Sequence, residues 1–424
     1  MNPVDEVVVA ETPQPVKTSW LQLGVVCAAQ LVIWTGFSGI LPYLPIFLQE
    51  EGHSSVIMIG FITAAFYVGA LIFSSPFGWL SDVVGRKPMM IGGLGLMAVA
   101  CFLFTLTVDP RWFLLFRVVE GMSAAAGGVM FAFVADITAP NHRSRGLGMV
   151  LSAQFGGAIL GPALGAALYH AGGGGRTGFY AIFYFGAVVA AFTTIVMAFL
   201  IREPAATRRR QAARIGKERR PSYRAVLKPA IAGFLIVSFS ANFAFGGFEV
   251  IWSLWLDHLG VSMTMISVVW IVMCVPMMLS FATGILADRH SRFLLMFAGN
   301  TVAALTFVVF GLTKSLALYL VVGVIQGLAF AFAHPAKQGF LIQVSPPEWI
   351  GTVQGLDTTS MWVGGLLGTL IVPAVYGAIS GHVIALCGAV AIAGLAIAAP
   401  ILWRARATRA EAHSPAAPQE QAVG

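Results

Sequence analysis

Apolar runs of membrane-crossing length recur along the whole chain. Segments of 56–77 and 89–106 are separated only by the charged turn Gly78-Trp79-Leu80-Ser81-Asp82-Val83-Val84-Gly85-Arg86-Lys87-Pro88. A spanning helix needs about 20 mainly apolar residues. Twelve such segments are read: 20–49, 56–79, 89–106, 112–136, 146–170 and 178–201, then 229–257, 263–286, 293–312, 316–343, 352–380 and 382–403. Only 10% of the 424 residues are charged and 58% are hydrophobic. A soluble chain carries about a quarter charged residues. The expected fold is therefore an all-α integral membrane protein with twelve transmembrane helices.

The remaining segments are polar. Residues 1–19 read as a cytoplasmic N-terminal tail without a cleaved leader. Residues 202–228 carry ten Arg and Lys and cannot enter hydrocarbon, so they read as a basic cytoplasmic linker between bundles at 20–201 and 229–403. The tail, 404–424, is rich in Ala, Pro and Gln and reads as disordered and cytoplasmic. With both termini inside, most loop Arg and Lys fall on the cytoplasmic side, and only Arg111, Arg176 and Lys314 fall outside. The positive-inside rule then puts both termini of a multi-pass protein in the cytoplasm, and the plasma (inner) membrane is its expected location. The net charge of +7 points to lipid headgroups rather than nucleic acid as its partner. Cys27, Cys101, Cys274 and Cys387 all sit in apolar runs, without metal-ligand spacing.

The halves repeat. At an offset of about 206, Gly78 falls on Gly284, Asp82 on Asp288, Arg86 on Arg292 and Gly121 on Gly327. One residue more aligns Gly148 with Gly355, Gly157 with Gly364 and Gly161 with Gly368. Two pseudo-symmetric six-helix bundles follow from this duplication.

The pattern G-x-L-x-D-x-x-G-R-K at Gly78, Leu80, Asp82, Gly85, Arg86 and Lys87 resembles the loop between the second and third helices of the major facilitator superfamily. Those proteins are secondary transporters, with the substrate site between the halves near the midplane. The resemblance implies a charge-operated gate on the cytoplasmic side. Its residues would be Gly78, Asp82, Gly85, Arg86 and Lys87, with Asp136 as acidic partner and Asp288 and Arg292 as the repeat copy. Gly78 is expected to let a neighbouring helix come close. The other reading of this loop is a wet, topology-setting turn. In the fifth span, Gly148, Gly157, Gly161, Pro162 and Gly165 resemble the antiporter motif of the drug-efflux branches, with Ala166 where a further Gly is common. Generic close packing of small residues is the alternative.

Charges inside the spans are the remaining signals. Arg117 and Glu120, three apart, share a helical face and can neutralise each other, either as a proton-linked pair or as a structural one. Glu249 is a lone acid among Phe245, Phe248 and Trp252. Intramembrane carboxylates are costly and usually face a cavity, which makes Glu249 the leading candidate for proton coupling. Its repeat counterpart is Leu41, so symmetry does not require an acid there. Asp357, nearly two turns into its span from the cytoplasmic end, either contributes to the gate or is simply hydrated there, and Lys337, after the kink at Pro335, is expected to reach towards the inner surface. Trp34, Asn242, Phe245, Glu249, Trp252 and Asp357 form the candidate substrate-binding set.

No phosphate-binding loop or metalloprotease signature appears, so no enzyme activity, cofactor or metal is expected, and an ion gradient is the energy source. The resemblance implies a monomeric, proton-coupled exporter of hydrophobic or amphipathic small molecules. A sugar or metabolite exporter, an importer or a lipid flippase would share this architecture. A non-transporting membrane sensor is the reading from another class.

Overall fold

In hydrocarbon a backbone must satisfy its own hydrogen bonds, and long apolar segments do so as helices. The structure, a computed structural model, describes residues 18–139, 142–203, 227–280, 282–283, 291–346 and 350–412; for 82, 143–145, 350–352 and 405–412 it describes the backbone alone. The regular elements of the first half are α1 (Trp20–Ile40), α2 (Leu44–Glu50), α3 (Val56–Val83), α4 (Arg86–Leu103), α5 (Pro110–Ala125), α6 (Gly127–Ile137), α7 (Arg143–Ala171) and α8 (Gly175–Leu200). The second half has α9 (Pro229–His258), α10 (Met263–Cys274) running into the 3₁₀ turn Val275–Leu279, α11 (Arg292–Leu312), α12 (Leu316–Val344), α13 (Ile350–Ile379) and α14 (His382–Ala412). Among the described residues, eleven helical stretches are long and apolar enough to cross a membrane, and Met263–Leu279 supplies a shorter twelfth. Helix starts are capped where the sequence offers an oxygen: Ser55, Asp109, Ser262, Ser291 and Ser315 each accept a first-turn N–H.

Three spans expected to be continuous are broken. The first turns at Leu41–Tyr43, where Pro42 lacks an N–H and cannot continue α1. The fourth is interrupted at Ala126, just before Gly127 and Gly128. The eighth tightens into 3₁₀ geometry around Pro276.

The two ends of the bundle differ. The motif end carries the turn at Val84–Gly85; the far end carries the α2–α3, α7–α8 and α9–α10 connections. Within each half, glycines bring the first helix against the fifth. A Cβ on Gly161 would lie 2.6 Å from the Gly39 nitrogen, and one on Gly157 2.4 Å from the Leu31 oxygen. In the second half, a Cβ on Gly364 would lie 2.4 Å from the Phe239 oxygen and one on Gly368 2.1 Å from that of Phe243. The repeat read in the sequence is thus a repeat of backbone crossings, α1 on α7 and α9 on α13.

The halves meet at the far end. There the Tyr43 hydroxyl is 2.5 Å from Ser267 Oγ, and His170 Nε2 is 2.8 Å from Thr264 Oγ1. A Cβ on Gly60 would lie 2.6 Å from the Thr369 oxygen. One apolar core joins both halves here, from Phe47, Phe113 and Phe183 to Phe248, Trp252 and Phe310. A separate cluster, with Leu23, Met90, Phe133 and Met197, holds the motif end of the first half.

Candidate functional site

The crossing of α3 and α5 builds the site. A Cβ on Gly121 would lie 2.1 Å from the Phe66 oxygen, and one on Gly69 2.4 Å from the Val118 oxygen. Glycine at both positions lets the backbones touch, and this sets Arg117, one turn before Gly121, over the Phe66 ring at 4.9 Å. Arg117 Nη1 bonds Glu120 Oε2 at 2.6 Å. Its Nη2 lies 3.9 Å from Oε1 of Glu249, which α9 brings from the other half. The Tyr67 hydroxyl donates to Glu249 Oε2 at 2.8 Å. Tyr67 reaches across because Gly365 of α13 leaves room for its ring; a Cβ there would lie 2.2 Å from Tyr67 Cε1.

All three charged groups are buried: Arg117 is 3% exposed, Glu120 1% and Glu249 7%. One guanidinium faces two carboxylates, so with both ionised the cluster holds an uncompensated negative charge away from bulk water. A single proton would remove it. Glu120 holds the short contact, and Glu249 the longer one across the seam. Glu120 Oε1 and Arg117 Nε find no partner among the described residues. A small cavity opens at the break between α1 and α2, lined by Phe37, Leu41, Thr63, Arg117, Glu120 and Glu249. It has room for about one water. Leu41 and Glu249, equivalent in the repeat, therefore share one cavity.

Beside the cluster runs a wall of rings. Trp34 meets Phe37 at 5.6 Å, Phe37 meets Phe66 at 6.2 Å, and Phe66 and Tyr67 meet Trp362 of α13 at 6.2 and 5.9 Å. Trp34 and Phe245 are thus placed differently, the first in this wall and the second 41% exposed on α9. Asn242 donates to the Ser238 carbonyl of its own helix at 2.8 Å. Trp252, of the same candidate set, lies apart from the ring wall. It is fully buried within the second half, stacked with Phe248 at 4.9 Å and packed on Phe310 and Tyr319. Lys337 departs from the expectation that it reaches towards the inner surface: it turns inwards, 2.9 Å from Ser238 Oγ and 3.5 Å from Asp357 Oδ1, because a partnered ammonium need not reach for water.

At the motif end Gly85 has φ +123°, a conformation suited to glycine. The turn aims Arg86 Nε at Asp136 Oδ2, 3.5 Å away, and its Nη1 at Ser81 Oγ, 2.5 Å away. The backbone N–H groups of Arg86 and Lys87 both donate at 2.8 Å to the Glu203 carboxylate, which follows α8. Sequence reading missed Glu203; its signal is an acid ending the sixth span opposite the bare N-terminus of α4. Gly78 shows no close helix: a Cβ there meets no described atom within 4 Å. The Asp82 side chain, Gly284 and Asp288 lie outside the described residues. Arg292, the copy of Arg86, has Nη1 3.5 Å from the Gly339 oxygen. Gly148 is half-buried on α7, and Gly165 packs on Gly39 and Tyr43. Pro162 lies inside α7 without ending it.

A duplicated twelve-span helical bundle, with a charged site buried on the seam between its halves, defines the class of membrane transporters that work through two halves. The sequence matches the Major Facilitator Superfamily over residues 26–369 and 277–422. The chain belongs to that superfamily and is a transporter of its type. It is 28% identical over 349 residues to multidrug resistance protein 2 of Bacillus subtilis, covering 80% of this chain and 84% of the relative. It is 28% identical over 355 residues to the class C tetracycline resistance protein of Escherichia coli, covering 81% and 86%. Among solved structures, a bacterial homolog of the human lysosomal transporter Spinster, inward-facing and occupied, superposes with a TM-score of 0.71 at 16% identity, covering 93% of this chain and 98% of that one. The human organic anion transporter MFSD10 does so at 0.66 and 19%, covering 89% and 99%.

Proposed function

We propose that this transporter is a proton-coupled exporter of hydrophobic or amphipathic small molecules, working as a monomer in the plasma (inner) membrane with both termini cytoplasmic. The observation that carries the reading is the contact of Arg117 and Tyr67 with Glu249 across the seam. Ionised, Glu249 draws both groups of the first half towards the second and helps hold the far end shut. A proton on Glu249 weakens that attraction. A substrate inserted against the rings of Phe66 and Trp362 competes for the same seam. Two occupants competing for one bridge give exchange, and alternating access follows if each leaves on a different side. The kinship with multidrug and tetracycline resistance proteins supports export over uptake. The motif end, with Arg86 paired to Asp136 and Glu203 capping α4, is the cytoplasmic gate in this reading, and Asp82 belongs to it.

Glu249→Gln tests the proposal, because the amide imitates the protonated acid. In inside-out vesicles it should abolish uphill accumulation driven by a pH gradient while preserving substrate counterflow. Uphill accumulation at the wild-type rate would remove Glu249 from the coupling step.

A further inference from the structure

The second half holds another buried charged site, which the coupling step leaves unused. Lys337 Nζ on α12 lies 3.5 Å from Asp357 Oδ1 on α13 and 2.9 Å from Ser238 Oγ on α9, and Ser238 in turn bonds Asp357. Its repeat positions in the first half are Phe131, Val150 and Gln30, none of them charged. The same crossing therefore packs without an ion pair. A buried pair is in any case weak support for stability. Some role other than packing is left for the charges.

Their position faces the seam. Ser238 and Glu249 are 11 residues apart on α9, three turns and about 20° of rotation, so they share a face. Asn242 and the exposed Phe245 lie on that face between them. Glu249 points at the first half, and Ser238 therefore sits beneath the same seam, about 16 Å nearer the motif end. On α12, Phe330 meets Phe155 of the first half at 6.5 Å, and His334 and Lys337 continue that face.

We infer that Lys337, held by Asp357 and Ser238, is a binding site for a single anionic group, such as a carboxylate, on an amphipathic substrate. Within the trio, Ser238 is fully buried and the Asp357 side chain is 3% exposed, whereas that of Lys337 is 12% exposed. Lys337 is thus the member of the trio with side-chain surface to offer a ligand. It has three donors and two described partners, so a ligand oxygen can take the third without dismantling the pair. Asp357 and Ser238 set the ammonium at the seam, and the ring of Phe234, 5.5 Å from Nζ, backs it. The apolar part of the substrate then lies along Phe245 towards the ring wall. The inference deepens the proposed export and rests on it only for the direction of transport.

Rhodamine 19, which carries a free carboxylate, and its ethyl ester rhodamine 6G differ at the group this site reads. Their equilibrium binding to the purified full-length protein is measured by fluorescence anisotropy. Lys337→Met combined with Asp357→Asn removes both charges and leaves no orphan in the interior. The double variant should bind the acid about tenfold more weakly and the ester within about twofold of wild type, the loss expected for one charge-assisted hydrogen bond. Lys337→Arg should keep the preference for the acid. Equal losses for both dyes would show a packing role and overturn the site, as would unchanged acid binding or a wild type that binds neither. Acid preference intact in a protein that fails to export under a pH gradient would sink the export reading and leave the anion site standing.

Discussion

Arg117 shows how much one side chain is asked to do. It bonds Glu120 at 2.6 Å, lies over Phe66 and reaches Glu249 in the other half, all while 3% exposed. A buried cation in such a place is tolerable because two carboxylates and a ring face answer it. The two tryptophans of interest separate along similar lines. Trp252 fills the interior of the second half, whereas Trp362 joins the ring wall that crosses the seam. Trp252→Ala should therefore cost about 3–5 kcal/mol of stability, as large-to-small changes in packed interiors do. Trp362→Ala should instead weaken substrate affinity with little thermal destabilisation. Thermal unfolding and dye binding of the two variants, measured side by side, check this; equal destabilisation would mean that Trp362 is packing as well.

At the scale of elements, glycines decide where helices touch. Gly157, Gly161 and Gly165 form one face of α7 against α1, and Gly364 and Gly368 repeat it between α13 and α9. These are close backbone contacts, and a helix pair with so little room has few ways to move other than as a unit. Gly161→Val would drive a branched side chain into Ser38 and Gly39. Overpacking of this kind costs about 1–3 kcal/mol. The variant should lose transport and thermal stability together, while the same change at Gly24, where a Cβ meets nothing described within 4 Å, should leave both near wild type. Comparing the two in one transport assay reads the difference. Normal transport by Gly161→Val would mean that α1 and α7 separate during the cycle.

At the scale of the whole molecule, the described polar bridges between the halves lie in the far-end half: Tyr43 to Ser267, His170 to Thr264, and Tyr67 and Arg117 to Glu249. Arg86, Lys87 and Glu203 gather at the motif end. If that end is cytoplasmic, reporter fusions at Gly174 should read external and fusions at Gln211 cytoplasmic, and a reversed pattern would invert the proposed direction of transport. The spans, the duplication and the loop motif were legible in the chain because hydropathy, glycine spacing and charge are local properties that a bilayer acts on directly. Arg117, Glu120 and Glu249 were each visible as charges that hydrocarbon would not tolerate without cause. That they form one cluster was not visible, because Glu249 is 129 residues from Glu120 and no periodicity within a helix says which face another helix will meet. The clasp of Glu203 on α4, the inward turn of Lys337 and the burial of Trp252 were hidden for the same reason. The sequence by itself determined that this chain crosses a membrane as two related six-helix halves. Only the tertiary packing decided which charges share a site, because partners across a seam are chosen by the approach of whole helices.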